Sequence, residues 1–417
     1  MSFVQDVKLA RDYVGEDVNE CPVPAFVLDK AKIRQNSARM LNEVDALGGG
    51  VRFRVHVETL KCTQVVREQL GDGRCESIVV STLEEIRNLV SLVEEGVVKD
   101  VLFGFPIGKS QVKELAYLKN LYSNLGATLR LCVDNKEQLD FLLENSSNWS
   151  VFIKLEVDQK LEEYDSLITT ITCDSHYNTK IHLFGFYCHA SASCGTSDLS
   201  ITESLVQQEL EMTIKAANIT RSKLEKRRNH LKTIKSTNNN IQDPNNIPFR
   251  LSIGATPANV SLTNNTNLPN LHQLDQVELH AGSYVALDLR HVGISETHTK
   301  HDIAGTVMAE ICSYRPSTNQ YVINAGVLAL SREPGSTLPG IAHIKGVDDW
   351  IVSKVYQEHG IISYMGTETN PKPPFHVGDR IILYPQNTCI TSSCHRLYFI
   401  VDGSNKIVDV WKPWRYW

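Results

Sequence analysis

Short apolar runs recur along the first two thirds of the chain, with room for a helix between successive runs. Residues 24–29 (Pro-Ala-Phe-Val-Leu-Asp) predict a strand, and the residues after it to about 45 predict a helix. Further strand-like runs cover Val51–Glu58, Glu76–Ser81, Asp100–Ile107, Thr128–Asp134, Trp149–Val157, Leu183–His189, Arg250–Ile253 and Gln276–His280. Helical patterns such as Thr82–Glu95, Lys109–Tyr122 and Asn135–Glu144 lie between them. Alternation of about eight such units predicts an α/β fold, a parallel (β/α)8 barrel. A barrel of this kind carries its functional residues at the C-terminal ends of its strands. That rule directs attention to Glu58, Asp158, His189, Gly254–Thr256 and Gly282–Tyr284.

The pattern changes twice. Thr233–Asn246 is rich in Asn, Lys and Ser and predicts a solvated insertion near 231–247 rather than an element. The basic run before it, Lys223–Lys232, reads as a solvated helix face or as an anion patch. After about residue 290, short strands joined by Gly, Pro and Asn turns predict a mostly antiparallel second domain. Its strands are expected at Val307–Tyr314, Gln320–Asn324, Arg380–Tyr384, Leu397–Val401 and Ile407–Val410.

Composition narrows the function classes. The 417 residues are 42% hydrophobic with a formal net charge of −6, so a nucleic-acid binder, which would show a basic face, is not expected. No apolar run reaches the roughly 18 residues of a membrane span, and the opening Met-Ser-Phe-Val-Gln-Asp-Val-Lys lacks the apolar core of a signal peptide. The 10 cysteines show neither a disulfide-scaffold pattern nor a Cys-x-x-Cys pair, which fits reduced thiols and a cytoplasmic protein.

Candidate chemistry gathers at the strand ends. Ser252-Ile253-Gly254-Ala255-Thr256-Pro257 and Ala281-Gly282-Ser283-Tyr284 each place glycine where backbone amides and hydroxyls can cradle a phosphate. Tyr187 and His189 alternate on one strand and would share a face, with a hydrogen-bonded core histidine as the bland alternative. Cys389, followed by Cys394 and His395, offers sulfur and imidazole to a zinc ion, though Cys-x4-Cys-His is not a standard zinc spacing. Glu58, Glu156 and Asp158 could cluster around a hard cation or remain solvated.

These segments together resemble the eukaryotic D-serine dehydratase family, related to D-threonine aldolase and more distantly to alanine racemase. The resemblance is carried by Phe53–Lys61, Gly185–Ala190, Leu251–Pro257, Glu278–Tyr284, Gly326–Gly335, Val352–Ile361, Pro385–Cys389 and the final Asp409-Val410-Trp411-Lys412-Pro413. It implies an alanine-racemase-like barrel over 24–290, a β-domain from 1–23 plus 291–417, and a homodimer. It also implies pyridoxal phosphate held by a lysine, a zinc ion beside it, and release of pyruvate and ammonia from D-serine. By the same resemblance Tyr187, His189, Gly254, Thr256, Gly282, Ser283 and Tyr284 would surround the cofactor.

The departures cluster. The family strand Arg-Pro-His-Val-Lys-Thr-His-Lys reads Arg54-Val55-His56-Val57-Glu58-Thr59-Leu60-Lys61 here, so the Schiff-base lysine position is Glu58. The family arginine near the cofactor ring is Leu161. The Gly-His-Ser-Tyr after Ala190 is Ser191-Ala192-Ser193-Cys194. The zinc pair His-x-Cys is Asn387-Thr388-Cys389, with Cys389 retained. The expectation is a divergent member without the lyase activity, binding at most a small amino acid or a phosphate-bearing ligand. The alternative is an active lyase whose imine lysine is displaced to Lys61.

Overall fold

In the computed structural model, the described residues are 10–48, 50–145, 148–189, 199–233, 243–254, 271–295, 297–368, 371–372 and 374–415. Eight parallel strands close into a barrel: β2 Arg52–His56, β3 Ser77–Val80, β4 Asp100–Pro106, β5 Thr128–Val133, β6 Trp149–Leu155, β7 Ile181–Cys188, β8 Arg250–Ile253 and β9 Gln276–Ala281. The ring closes where β9 pairs with β2, Arg52 beside Glu278 and Val55 beside Ala281. Strands covered on both faces are built from nearly continuous apolar runs such as Ser-Ile-Val-Val in β3.

The inside of the barrel is layered, because alternate residues of each strand point inward. The floor is charged. Arg54 is fully buried and bonds Glu278 at 2.7 Å and Asp100 at 2.9 Å, while Arg130 holds the other Asp100 oxygen at 2.8 Å. Above it lie Val79, Leu102, Cys132, Phe152 and Tyr187, an apolar plug. Above these come His56 and His280, two residues on from Arg54 and Glu278 along the same strand faces.

The second domain is a nine-stranded sheet that includes β1 (Ala25–Asp29), in the order β11-β14-β13-β12-β15-β10-β1-β16-β17. Its strands are β10 Gly305–Arg315, β11 Gln320–Ile323, β12 Ala342–Ile344, β13 Val347–Val355, β14 Gly360–Tyr364, β15 Arg380–Pro385, β16 Tyr398–Val401 and β17 Ile407–Trp411. β10 pairs with both β15 and β11, which closes six of the strands into an antiparallel ring.

One expectation shifts: the strand expected at the start of the barrel segment 24–290 is β1 (Ala25–Asp29), and it lies between β10 and β16 in the second sheet. The barrel therefore starts after it, with the helix Lys30–Ala46 that Asp29 caps. The basic run before the expected insertion is helical. The helix Leu199–Thr233 runs through Lys223–Lys232, and Pro244–Asn246 forms a short 3-10 turn. Arg228 pairs with Asp243 at 2.7 Å, so the basic run partly serves to dock the turn.

The domains meet around the loop that leaves β2. Ser392 Oγ–H donates to Thr59 O at 2.8 Å, Tyr398 O–H to Leu60 O at 3.0 Å and Trp414 N–H to Lys61 O at 2.6 Å. Thr388 N–H donates to Asp288 at 3.1 Å, and its hydroxyl to Leu287 O at 2.7 Å.

Candidate functional site

The barrel mouth collects side chains from β2, β7 and β9 and the loops after them. Tyr187 and His189 do share a direction. The Tyr187 ring stacks on His280 with centroids 4.4 Å apart, and its hydroxyl lies 3.2 Å from His56 Nε2. His56 Nε2 also faces His280 Nδ1 at 3.1 Å. His189 sits beside both, 5.8 Å from the His56 ring and 5.4 Å from that of His280. Burial pushes all three imidazoles toward the neutral form; neighbouring histidines add to it for His56 and His280, and Lys154 adds to it for His189.

Glu58 stands at the rim, exposed, and accepts from the Ser81 hydroxyl at 2.9 Å. The crowded mouth dehydrates its carboxyl in part, which works against ionisation. The neighbouring His56, the Ser81 hydroxyl, His189 and Lys61 outweigh that and hold its carboxyl below the usual range. Lys61 lies beyond the strand at φ 47°, with its ammonium 2.6 Å from the fully buried Glu85.

The expected phosphate cradle is divided. Thr256 and Ala192 lie outside the described residues. Gly254 has φ +119°, a conformation that favours glycine, and its N–H donates to the buried Glu209 carboxylate at 2.8 Å. Gly282 packs so tightly on His56 that an added Cβ would come within 2.7 Å of it. Ser283 Oγ pairs with His291 Nε2 at 3.0 Å, and His291 Nδ1 with Asp288 at 2.6 Å. Burial opposes ionisation of Asp288, but His291, Arg290 and the Thr388 amide hold it well below the usual carboxylate range. Tyr284 turns into the core against Phe53, with Gln69 donating to its hydroxyl at 3.5 Å.

Asn387 and Cys389, which the resemblance places at zinc, make other bonds here. Asn387 caps the helix Thr388–Ser393 through its side-chain oxygen, and its amide nitrogen donates to Glu333. The Cys389 thiol donates to the Thr59 hydroxyl at 3.4 Å. Burial, with Glu58 and Asp288 adding to it, pushes this thiol up to about 12, so it stays protonated. The acidic trio is not brought together: Glu156 pairs with Lys154, and Asp158 is exposed. Leu161 packs against the core.

The residues present do not fit pyridoxal phosphate and zinc as the resemblance implies them. The imine position carries an acid, a glycine amide suited to phosphate already holds a carboxylate, and the retained thiol lacks its imidazole partner. His280 and Glu209 carry no weight in the sequence reading above. The first could have been found from the period-2 faces Arg54/His56/Glu58 and Glu278/His280/Gly282. The second sits in a long helix with no local signal.

Comparison with known proteins gives the same framework. A family model described as "Putative serine dehydratase domain" matches residues 304–401. A D-serine dehydratase of Schizosaccharomyces pombe is 33% identical over 439 residues, covering 99% of this chain and 96% of that protein. One of Saccharomyces cerevisiae is 29% identical over 97% of this chain and 98% of that protein. The structure of D-threo-3-hydroxyaspartate dehydratase from Delftia sp. HT23 superposes with a TM-score of 0.77 at 22% identity, covering 96% of this chain and all (100%) of that one. Alanine racemase from Corynebacterium glutamicum has a TM-score of 0.55 at 14% identity over 87% of this chain and 90% of that one. The eight-stranded barrel, the closed antiparallel β-domain and the identity along almost the whole length lead to one conclusion: the chain belongs to the D-serine dehydratase family.

Proposed function

We propose that this chain keeps the dehydratase scaffold without the family's lyase chemistry, and that it does not convert D-serine to pyruvate and ammonia. One observation carries the reading: Glu58 stands where the imine-forming lysine belongs. A carboxylate cannot form an imine, and its charge opposes an anionic cofactor. The Glu209 carboxylate on the Gly254 amide supports the same reading from the end of β8, two strands away around the ring. Lys61 does not favour the active alternative, since its ammonium is committed to Glu85 at 2.6 Å. A cytoplasmic homodimer with a small amino-acid ligand completes the proposal. The described cysteines are all unpaired, and no described helix is long and apolar enough to cross a membrane.

The test is direct. Purified chain is incubated with pyridoxal phosphate, its absorbance is recorded, and pyruvate is measured with D-serine. No protein-bound imine chromophore and no pyruvate above a protein-free control are expected. A stable chromophore together with pyruvate release overturns the proposal.

A further inference from the structure

Among the described residues, His56, His189 and His280 form a group whose ligating atoms all lie within 4.8 Å of one another. The ring nitrogens can be assigned one at a time. His280 Nε2 lies 3.0 Å from the Cys188 carbonyl oxygen. A carbonyl oxygen only accepts, so Nε2 carries the hydrogen and Nδ1 keeps the lone pair. His189 Nδ1 lies 2.9 Å from the Gly254 carbonyl oxygen, which leaves the lone pair on Nε2 by the same logic. Two backbone carbonyls thus fix two tautomers. Metal-bound imidazoles are oriented by the same kind of hydrogen bond from the far ring nitrogen.

We propose that His56, His189 and His280 form a binding site for a borderline divalent cation of the zinc class, within the barrel mouth and separate from Asn387 and Cys389. The dimensions agree. Zn–N bonds of about 2.0–2.1 Å in a tetrahedral shell put ligand nitrogens roughly 3.3–3.4 Å apart. His56 Nε2 and His280 Nδ1 already stand at 3.1 Å. With the whole group inside 4.8 Å, a small pivot of the His189 ring about its Nδ1–H bond to the Gly254 carbonyl closes the set.

Binding asks one change of His56. In the metal-free chain its Nε2–H can donate to His280 Nδ1. With a cation present that hydrogen moves to Nδ1, and Nε2 becomes the third donor. Three nitrogen donors select zinc, cobalt, nickel or copper over magnesium and calcium, which take oxygen. Three protein ligands also leave a fourth position open, the pattern of reactive rather than structural zinc. Glu58 supplies a compensating negative charge at the same mouth. This site does not depend on the loss of imine chemistry, because cobalt spectroscopy and cofactor absorbance read the two separately.

The experiment uses the full chain, stripped with a chelator and titrated with Co2+. One equivalent per chain with the intense visible bands of four-coordinate cobalt is expected, bleached by added Zn2+. His189→Gln should weaken Co2+ binding more than about a hundredfold, by analogy with losses seen on disturbing metal-binding histidines. Cys389→Ser should change it less than about twofold, since that thiol lies outside the ligand set. His280 is fully buried, so its variant is not relied on. Instead, imidazole nitrogen NMR of the unaltered chain should show Zn2+ shifting one nitrogen of each of the three rings. The pale spectrum of the free aqua ion, unchanged binding in His189→Gln, loss of binding in Cys389→Ser, or imidazole resonances unmoved by Zn2+ each overturn the proposal.

Discussion

Replacing Lys61 by methionine keeps an apolar stem and removes the ammonium. In the folded chain that ammonium lies 2.6 Å from Glu85, whose side chain is fully buried. The second Glu85 oxygen accepts the Ser81 N–H at 2.6 Å. Removing one partner of a buried ion pair costs about 3–5 kcal/mol, because the other charge is left uncompensated. Lys61 is 24% exposed, so solvent already screens part of the attraction. A loss of about 2–3 kcal/mol is expected. The pH dependence has a definite sign. Burial raises the Glu85 carboxyl above its ordinary range even though Lys61 pulls it down, and without Lys61 it rises further. A carboxyl raised in the folded state binds more protons there than in the unfolded chain, so the cost of ionising it grows with pH. The deficit of Lys61→Met should be full near pH 8 and should shrink toward about pH 5. Urea denaturation at both values measures it. A deficit below about 0.5 kcal/mol near pH 8, or one that grows on acidification, refutes the assignment of Lys61 as a structural counter-ion. Borohydride reduction in the presence of pyridoxal phosphate, followed by peptide mapping, should leave Lys61 unlabelled.

The other expectations concern charge and burial. Glu209→Gln removes the carboxylate from the Gly254 amide and should raise affinity for pyridoxal phosphate at least about tenfold in an equilibrium titration; no gain would mean that this amide is not part of an anion site. Burial pushes His395, bonded to Ala329 O at 3.0 Å, from 6.5 down to about 4. The unfolded chain then takes up the proton first, so stability present above pH 6.5 is lost as pH falls toward 4, by roughly 3 kcal/mol. His395→Phe should flatten that part of a melting-temperature profile. Arg54→Met strands the buried Glu278 and should cost about 3–5 kcal/mol, with Glu278→Gln in the same chain recovering part of it in denaturation curves. Glu58→Lys with Asn387→His should restore little pyruvate production from D-serine, because Glu209 still occupies the Gly254 amide and Leu161 is still apolar.

The barrel was legible because each strand is a short apolar run bounded by a helix signal. Arg250–Ile253 coincides with the strand in the structure, and the other barrel strands differ from the expected ends by at most a few residues. The placement of β1 was not legible, since nothing in Ala-Phe-Val-Leu-Asp distinguishes a barrel strand from one paired with residues 305–308 and 398–401. At the site, Glu58 and Asn387 stood out by comparison with the family motif. The partners that now occupy the mouth were hidden, because they are long-range. Glu209 reaches Gly254 from a different element, and Glu85 meets Lys61 only after the helix that follows β3 folds back on the barrel. The orientation of Tyr284 was hidden for a related reason: its neighbour Phe53 lies on the strand that closes the ring.

The position of β1 also sets an order of assembly. Ala25 faces Met308 and Phe26 faces Tyr398, so β1 finds its partners only after the whole barrel has been made. Joining such distant segments is slow unless the chain between them is already compact. The barrel supplies that compaction: Asp29 caps its first helix and also accepts the Gly403 N–H, so the folded barrel delivers β1 to the edge where β16 will lie. A nascent chain that stops before β10 carries Ala-Phe-Val-Leu with both backbone edges open, the kind of segment that recruits neighbouring chains. Completion of the C-terminal third is therefore also the step that shields the N-terminal strand from aggregation.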